Sequence, residues 1–253
     1  MLRFYAQSFV SSSSTITQIV QILNRGEGLR DSHFKELGIA LGEMMRECQK
    51  VDLPMTLAQL KRIKEVLDER TNVTNEGIRQ MLHEVVNRLW DELDTHIFYQ
   101  IESRKSFYYE EPEKFIGPDV SKAFPIATRE LIDASKCYAI GRDTACVFHL
   151  MRALESGLGC MAKVFGVPSD HTNWQNIIEQ IESKVRDLPK TKPKNWKEDQ
   201  EFYSQAASHF MVLKDAWRNY TAHMRGRYDA EEALRVMDNV LGFMKKLATK
   251  LHE

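Results

Sequence analysis

Lys214-Asp215-Ala216-Trp217-Arg218-Asn219-Tyr220-Thr221-Ala222-His223-Met224-Arg225-Gly226-Arg227 carries both a helix end and the densest group of polar side chains in the chain. It closes a helix expected from about Trp196 to Met224, and Gly226 is the residue type that ends helices, because it enters the left-handed region freely. Working outward, a further helix is expected from about Asp229 to Leu251. It opens with Asp229, Glu231 and Glu232 and closes with Lys245, Lys246 and Lys250, the signs that a helix dipole favours at its two ends.

Upstream, Ile126 to Ile140 reads as a helix stopped by Gly141. A longer one runs from Arg142 to about Phe165 on the apolar face of Val147, Leu150, Leu154, Leu158 and Met161, with Gly166 and Pro168 behind it. Asn173 caps a third helix through Ile177, Ile181 and Val185. The segment Lys184–Lys197 is basic and broken by Pro189 and Pro193: Lys184, Arg186, Lys190, Lys192, Lys194 and Lys197. No period-two alternation of useful length appears, so the chain reads as all-α. Residues 126–253 form a C-terminal bundle of four to five helices.

Residues 103–125 separate this bundle from an N-terminal helical region, 1–102. Pro112, Gly117-Pro118 and Pro125 deny the separating stretch a long helix. Its many aromatics, Phe107, Tyr108, Tyr109, Phe115 and Phe124 among them, argue for a strapped connector rather than a free linker. In the N-terminal region the periodicity predicts helices around Ile16–Leu23 and from about Asp31 to Lys50. A third is capped by Thr56 and reaches about Arg70. The fourth is capped by Thr74 or Asn75, reaches about Ile101 and carries His83 and His96, both read as structural or exposed.

Composition bounds the function. Lys and Arg number 35 against 36 Asp and Glu, so no global field draws in nucleic acid or an acidic membrane. The balance is uneven, with 15 basic and 19 acidic residues in 1–120 but 20 and 17 in 121–253. Cys48, Cys137, Cys146 and Cys160 form no C-x-x-C pair, which predicts reduced, mostly buried thiols rather than a disulfide framework or zinc site. No apolar run approaches the ~20 residues of a membrane span, and Met1–Ser14 lacks the apolar core of a signal peptide. A cytoplasmic protein with no cofactor and no metal is expected.

The chemistry lies in Arg218, Asn219 and His223. Asn219 and His223 are four apart and share a face of an α-helix, whereas Arg218 lies roughly 140° round the axis from His223. One helix would not aim both at one atom, so either the long Arg side chain curls back or a second copy completes the site across a two-fold axis. His223 in the last turn sits at the negative end of the dipole and titrates near neutrality. Arg218 offers a fork of donors that matches phosphate oxygens. The set suits phosphodiester cleavage by a neighbouring 2′-hydroxyl. So short a pattern also arises by chance, at helix ends whose Arg and His simply meet solvent and carbonyls.

The R-N-x-x-x-H string, at the end of the penultimate helix of a bundle, resembles the signature of the HEPN superfamily, many of whose members are metal-independent ribonucleases. The resemblance spans about residues 121–251. It implies Arg218 as phosphate binder, Asn219 as the residue aligning the site and His223 as the proton-transfer group. It further implies a homodimer with a composite cleft, RNA as substrate, a toxin or anti-phage role, and a possible cognate antitoxin or regulator. Arg225 stands where some HEPN toxins carry a tyrosine adenylylated by a partner enzyme, so the chain departs from that group. Residues 1–120 match no such pattern. A catalytically silent module binding a nucleotide or protein is the alternative.

Around the motif, Arg225 and Arg227 are candidates for phosphate contact. Arg152 and Glu155 either add a cation and a carboxylate to the cleft or form an i,i+3 surface ion pair. His149 reads as packed or exposed. Lys184–Lys197 either tracks an RNA backbone or is a solvated loop. Trp217 and Tyr220 either stack a base or belong to the core.

Overall fold

Leucine, isoleucine and methionine recur every third or fourth residue along most of the chain, and a helix turns such spacing into a single buried face. The computed structural model describes residues 6–69, 73–169, 173–191, 193–218 and 227–253, and among them the chain is all-α, with no strand. Contacts divide it into two compact units, Met1–Tyr99 and Gln100–Glu253.

The N-terminal unit contains α1 (Ala6–Asn24), α2 (Asp31–Lys50), α3 (Pro54–Asp68) and α4 (Asn75–Asp94). Each packs on the next and α1 meets α4, so the four surround one core. Leu37, Leu41, Met44 and Cys48 on α2, and Ile78, Leu82, Val85 and Leu89 on α4, share a four-three-four spacing and are all buried. Each large apolar side chain among them contributes about 1.5–3 kcal/mol by leaving water. Thr74 caps α4 as expected, its hydroxyl accepting from Gly77 N–H at 3.1 Å.

Two expectations are corrected here. Helix α3 begins at Pro54, where the missing N–H costs nothing, so Thr56 lies within the first turn rather than at the cap. The capping group comes from α4: the Glu92 carboxylate accepts from Met55 N–H at 2.7 Å, Thr56 N–H at 2.8 Å and the Thr56 hydroxyl at 2.6 Å. Helix α4 ends at Asp94 rather than Ile101, because the Thr95 hydroxyl (2.8 Å) and His96 Nδ1 (2.7 Å) both donate to the Glu92 carbonyl and close the last turn. Ile97, within the span expected to be helical, lies beyond its end and is 99% exposed.

The C-terminal unit opens with a 3-10 turn, Ser103–Lys105, and three short helices, α5 (Ser106–Glu110), α6 (Pro112–Ile116) and α7 (Pro118–Ala123). Of the prolines that forbid one long helix here, Pro112 and Pro118 each begin a short one. All three pack on α8 (Pro125–Ala139). Tyr108 sits edge-on to Phe115 and Tyr138, each at 5.0 Å, and its carbonyl accepts from the Ser135 hydroxyl at 2.8 Å. The stretch 103–125 therefore belongs to the folded body of this unit.

Helix α8 turns at Gly141 (φ 68°) into α9 (Asp143–Val164), and Gly166 (φ 62°) follows the end of α9. Then come α10 (Trp174–Thr191), α11 (Trp196–Leu213), a π-helical turn at Lys214–Arg218, and α12 (Ala230–Leu247). Asn173 caps the start of α10, Oδ1 accepting from Asn176 N–H at 2.9 Å. Asp229 and Glu232 form a capping box at the start of α12. Helix α9 is the axis of the unit. A Cβ on its Gly157 would stand 3.1 Å from Leu247 Cδ1 and 3.4 Å from Met244 Sδ, so the α9–α12 seam is close because that residue is glycine. The basic stretch is not all loop, since α10 continues through Pro189 to Thr191, while Lys192 lies outside the described residues. Only two residues of α10 follow that proline, so its missing N–H falls in the final turn.

Candidate functional site

The expected helix Trp196–Met224 is not one continuous α-helix. Helix α11 gives way at Lys214 to the π turn, whose i→i+5 pairing widens the backbone over Lys214–Arg218. The angle of about 140° expected between Arg218 and His223 involves residues outside the described ones. Single π turns are rare and concentrate at functional sites.

The turn is anchored on both sides. Lys214, with its side chain 12% exposed, reaches Gln175 Oε1 at the start of α10 and pairs with Asp215 at 3.0 Å. Trp217 is half-buried against the core. Beyond the motif, Tyr228 N–H donates to the Thr144 hydroxyl on α9 at 3.2 Å, and its own hydroxyl donates to the Trp217 carbonyl at 3.4 Å. The backbone on the two sides of the motif is therefore tied together and to α9.

The Arg218 backbone ends the π turn. Its side chain, together with Asn219, Tyr220, His223 and Arg225, lies outside the described residues. Arg227 is described and exposed. Arg152 and Glu155 are both exposed on α9 but do not make the i,i+3 pair considered above. Arg152 Nε donates to Glu130 Oε1 on α8 at 2.8 Å, and Glu155 Oε1 accepts from Trp174 Nε1 at 3.0 Å. Trp174 adjoins Gln175, the partner of Lys214. Glu155 is thereby linked to the motif's helix through two neighbouring residues of α10.

Glu130 is a member of this rim that sequence reading misses. Besides Arg152 it accepts from His149 Nδ1 at 2.8 Å. Burial pushes its carboxyl up, but the hydrogen bonds from His149 and Arg152 outweigh that and hold it below the usual carboxylate range. An ionised carboxylate only accepts, so Nδ1 of His149 carries the proton. Nothing in the spacing of Glu130 and His149, 19 residues apart, announces the contact. It follows from the Gly141 turn that folds α8 back along α9. Trp174 likewise looks like a core aromatic in sequence, and it is buried, with its indole N–H turned to Glu155.

All four cysteines are free. Burial, with Glu92 and Glu47 nearby, pushes the Cys48 thiol up to about 12, and burial raises Cys146 further still, so neither is a nucleophile at neutral pH. A cleft of about 410 Å³ lies beside the motif, between the π turn and α12, lined by Ala216, Trp217, Tyr228, Glu232, Arg235, Val236 and Asn239. A larger one, about 820 Å³, lies in the N-terminal unit, where Asp31 and Asp68 face Lys35 and Lys64 around Phe34 and Ile39. Among the described residues it balances its charges and gathers no proton-transfer pair, so size alone does not make it the better site. No helix among the described residues is long and apolar enough to cross a membrane. Compared with family models, curated proteins and solved structures, the chain matches none.

Proposed function

We propose that this chain is a metal-independent endoribonuclease of HEPN type, working as a cytoplasmic homodimer in a toxin or anti-phage defence role. The observation that carries the reading is the Arg218-Asn219-x-x-x-His223 string itself. It is supported by the backbone around it, for Arg218 ends a rare π turn that Lys214 ties to Gln175, and Tyr228, beyond the string, is bonded to Thr144 and Trp217.

The reaction follows from the residue types. A base removes the proton of a ribose 2′-hydroxyl, the 2′-oxygen attacks the adjacent phosphorus, and the bond to the 5′-oxygen breaks as an acid protonates that oxygen. The products are a 2′,3′-cyclic phosphate and a 5′-hydroxyl. His223 moves the protons, Arg218 takes up charge on the phosphorane and Asn219 aligns the site. A symmetric dimer supplies two histidines, one to act as base and one as acid. Arg225 and Arg227 add phosphate contacts, and Arg152 and Glu155 belong to the rim. A cognate antitoxin or regulator is the partner such a role calls for.

The test is incubation of purified protein with total RNA in EDTA, beside His223→Ala and Arg218→Ala, followed by analysis of the product ends. Cyclic phosphate ends that both substitutions abolish are the expected result. Cleavage indifferent to both substitutions sinks the assignment. A folded wild type that cleaves nothing favours the silent nucleotide- or protein-binding module instead.

A further inference from the structure

The cleft between the π turn and α12 has a composition that the cleavage chemistry does not use. Its floor is one face of α12, where Glu232, Arg235, Val236 and Asn239 recur at i, i+3, i+4 and i+7. Its walls are Ala216 and Trp217 from the π turn and Tyr228, the residue before the Asp229 cap of α12. Both aromatics are packed in part against the core and line the cleft as well, so their positions are held from behind. The Tyr228 hydroxyl bonded to the Trp217 carbonyl fixes one against the other. A volume of about 410 Å³ falls within the range of small-molecule sites, about 300–1,000 Å³.

The polar groups are placed to recognise a ligand. Arg235 is exposed, and although Glu231, Glu232 and Asp238 lie within a turn of it, its guanidinium makes no ion pair among the described residues. An unengaged guanidinium at the mouth of an aromatic-walled cleft is suited to receive a phosphate. Glu232 spends one carboxylate oxygen on the Asp229 N–H at 3.1 Å, and the Asn239 amide spends one N–H on the Arg235 carbonyl at 2.7 Å. What Glu232 still offers is a carboxylate acceptor, and what Asn239 offers is its amide oxygen and its second N–H.

We infer that this cleft is a nucleobase subsite. A base stacks on Trp217 and Tyr228, its phosphate meets Arg235, and its exocyclic amino group donates to Glu232 or Asn239. The Glu232 carboxylate only accepts, so adenine, guanine and cytosine, whose amino groups can donate to it, are taken in preference to uracil, whereas Asn239 with a donor and an acceptor serves any base. Stacking on aromatic side chains tolerates different bases, and the carboxylate supplies the bias. As a subsite for RNA the cleft rests on the nuclease reading, since it would hold the nucleotide next to the one whose phosphate is cut. As a nucleotide site it stands alone.

The experiment is a titration of the full-length His223→Ala protein with AMP, GMP, CMP, UMP, adenosine and ribose 5-phosphate, followed by calorimetry and by tryptophan fluorescence. Saturable binding of AMP, GMP and CMP is expected, at least about tenfold tighter than ribose 5-phosphate, with UMP weakest of the four nucleotides. Part of the fluorescence is quenched on binding, and Trp217→Phe removes that part. Arg235→Gln, a change at an exposed and unpaired side chain, should keep the fold and bring AMP down to the affinity of adenosine. Ribose 5-phosphate binding as tightly as AMP overturns the subsite, because the cleft would then read phosphate alone. So does the absence of saturable binding by any nucleotide at millimolar concentration. Wild type that cleaves RNA in EDTA but binds no mononucleotide removes the subsite and leaves the nuclease standing. Mononucleotide binding without cleavage does the reverse.

Discussion

The two units place their polar groups in opposite ways. In the N-terminal unit polar side chains sit inside: Ser12, Glu47, Thr56 and Gln59 are all buried, and Glu47 Oε2 and Gln59 Oε1 have no hydrogen-bond partner. Its helix α2 carries Gly38 and Gly42 with nothing within 4 Å of a Cβ placed on either. Among the described residues of the C-terminal unit the buried polar side chains are Lys105, held over the Tyr138 ring, and Ser135, satisfied by the Tyr108 carbonyl, and the partly buried Asp143 has an unpartnered oxygen. Gly157 lies in a tight seam, and the polar contacts run along the rim, from Glu130, His149 and Arg152 to Glu155, Trp174 and Lys214. Buried polar groups cost free energy unless satisfied. The first unit carries more of that cost in its interior, whereas the second presents most of its polar groups where a ligand can meet them.

The largest effect expected from this contrast is chemical. His223→Ala should lower RNA cleavage at least about a hundredfold, as expected for loss of a proton-transfer group, whereas Glu92→Gln in the N-terminal unit should leave the rate within about twofold of wild type. Next comes the seam. Gly157→Val drives a branched side chain into Leu247 and Met244 and should lower stability by about 1–3 kcal/mol in urea denaturation. Equal stability of that variant would show that the α9–α12 contact yields more readily than its spacing implies.

The caps come third. Glu92→Ala leaves the Met55 and Thr56 N–H groups without their carboxylate and should cost about 1–2 kcal/mol. Burial raises the Glu92 carboxyl, but hydrogen bonds from Thr56 and Met55 prevail and hold it below its ordinary 4.5. Its folded pKa is depressed, so its contribution is complete above pH 4.5 and is lost as pH falls through the lower folded value. Glu130 behaves with the same sign. Acid titration followed by circular dichroism should therefore show both units weakening below about pH 4.5, with Glu92→Gln flattening the profile. Salt separates the two carboxylates, because Arg152 is exposed and charged while the donors to Glu92 are neutral, so about 1 M salt should weaken only the Glu130 contact. The smallest effect is a gain. Gly42→Ala in the open face of α2 should raise stability by about 0.5–1 kcal/mol, the reverse of the change at Gly157.

What was legible in the sequence divides along a physical line. Gly141 and Gly166 mark helix ends because each takes a positive φ that other residues avoid, and that is a local property. The Thr74 cap was legible for the same reason, since donor and acceptor lie three residues apart, whereas Asp229, read as a first-turn carboxylate, is itself the cap of its helix. Thr56 misled because a threonine before an apolar run looks the same whether its hydroxyl caps its own helix or binds a carboxylate 36 residues away. The stretch Lys184–Thr191 misled in the other direction, because a proline two residues before a helix end removes only one hydrogen bond. At the motif, residue types were legible but geometry was not. The switch from α to π pairing after Leu213 leaves no mark in the spacing of apolar residues.

Periodicity, caps and stops are contacts between near neighbours, so the chain's own order of residues was enough to settle the all-α class, the extent of most helices and the residue types gathered at Arg218–His223. The packing of one helix on another was needed to decide that Arg152 and Glu155 turn away from each other, toward Glu130 and Trp174, and that Glu92 caps a helix other than its own. The same packing brought Trp217, Tyr228 and Arg235 to one cleft. These are contacts between side chains far apart in the chain. Their partners are chosen by which helix faces are brought together when the apolar stripes are buried, and no short stretch of sequence carries that information.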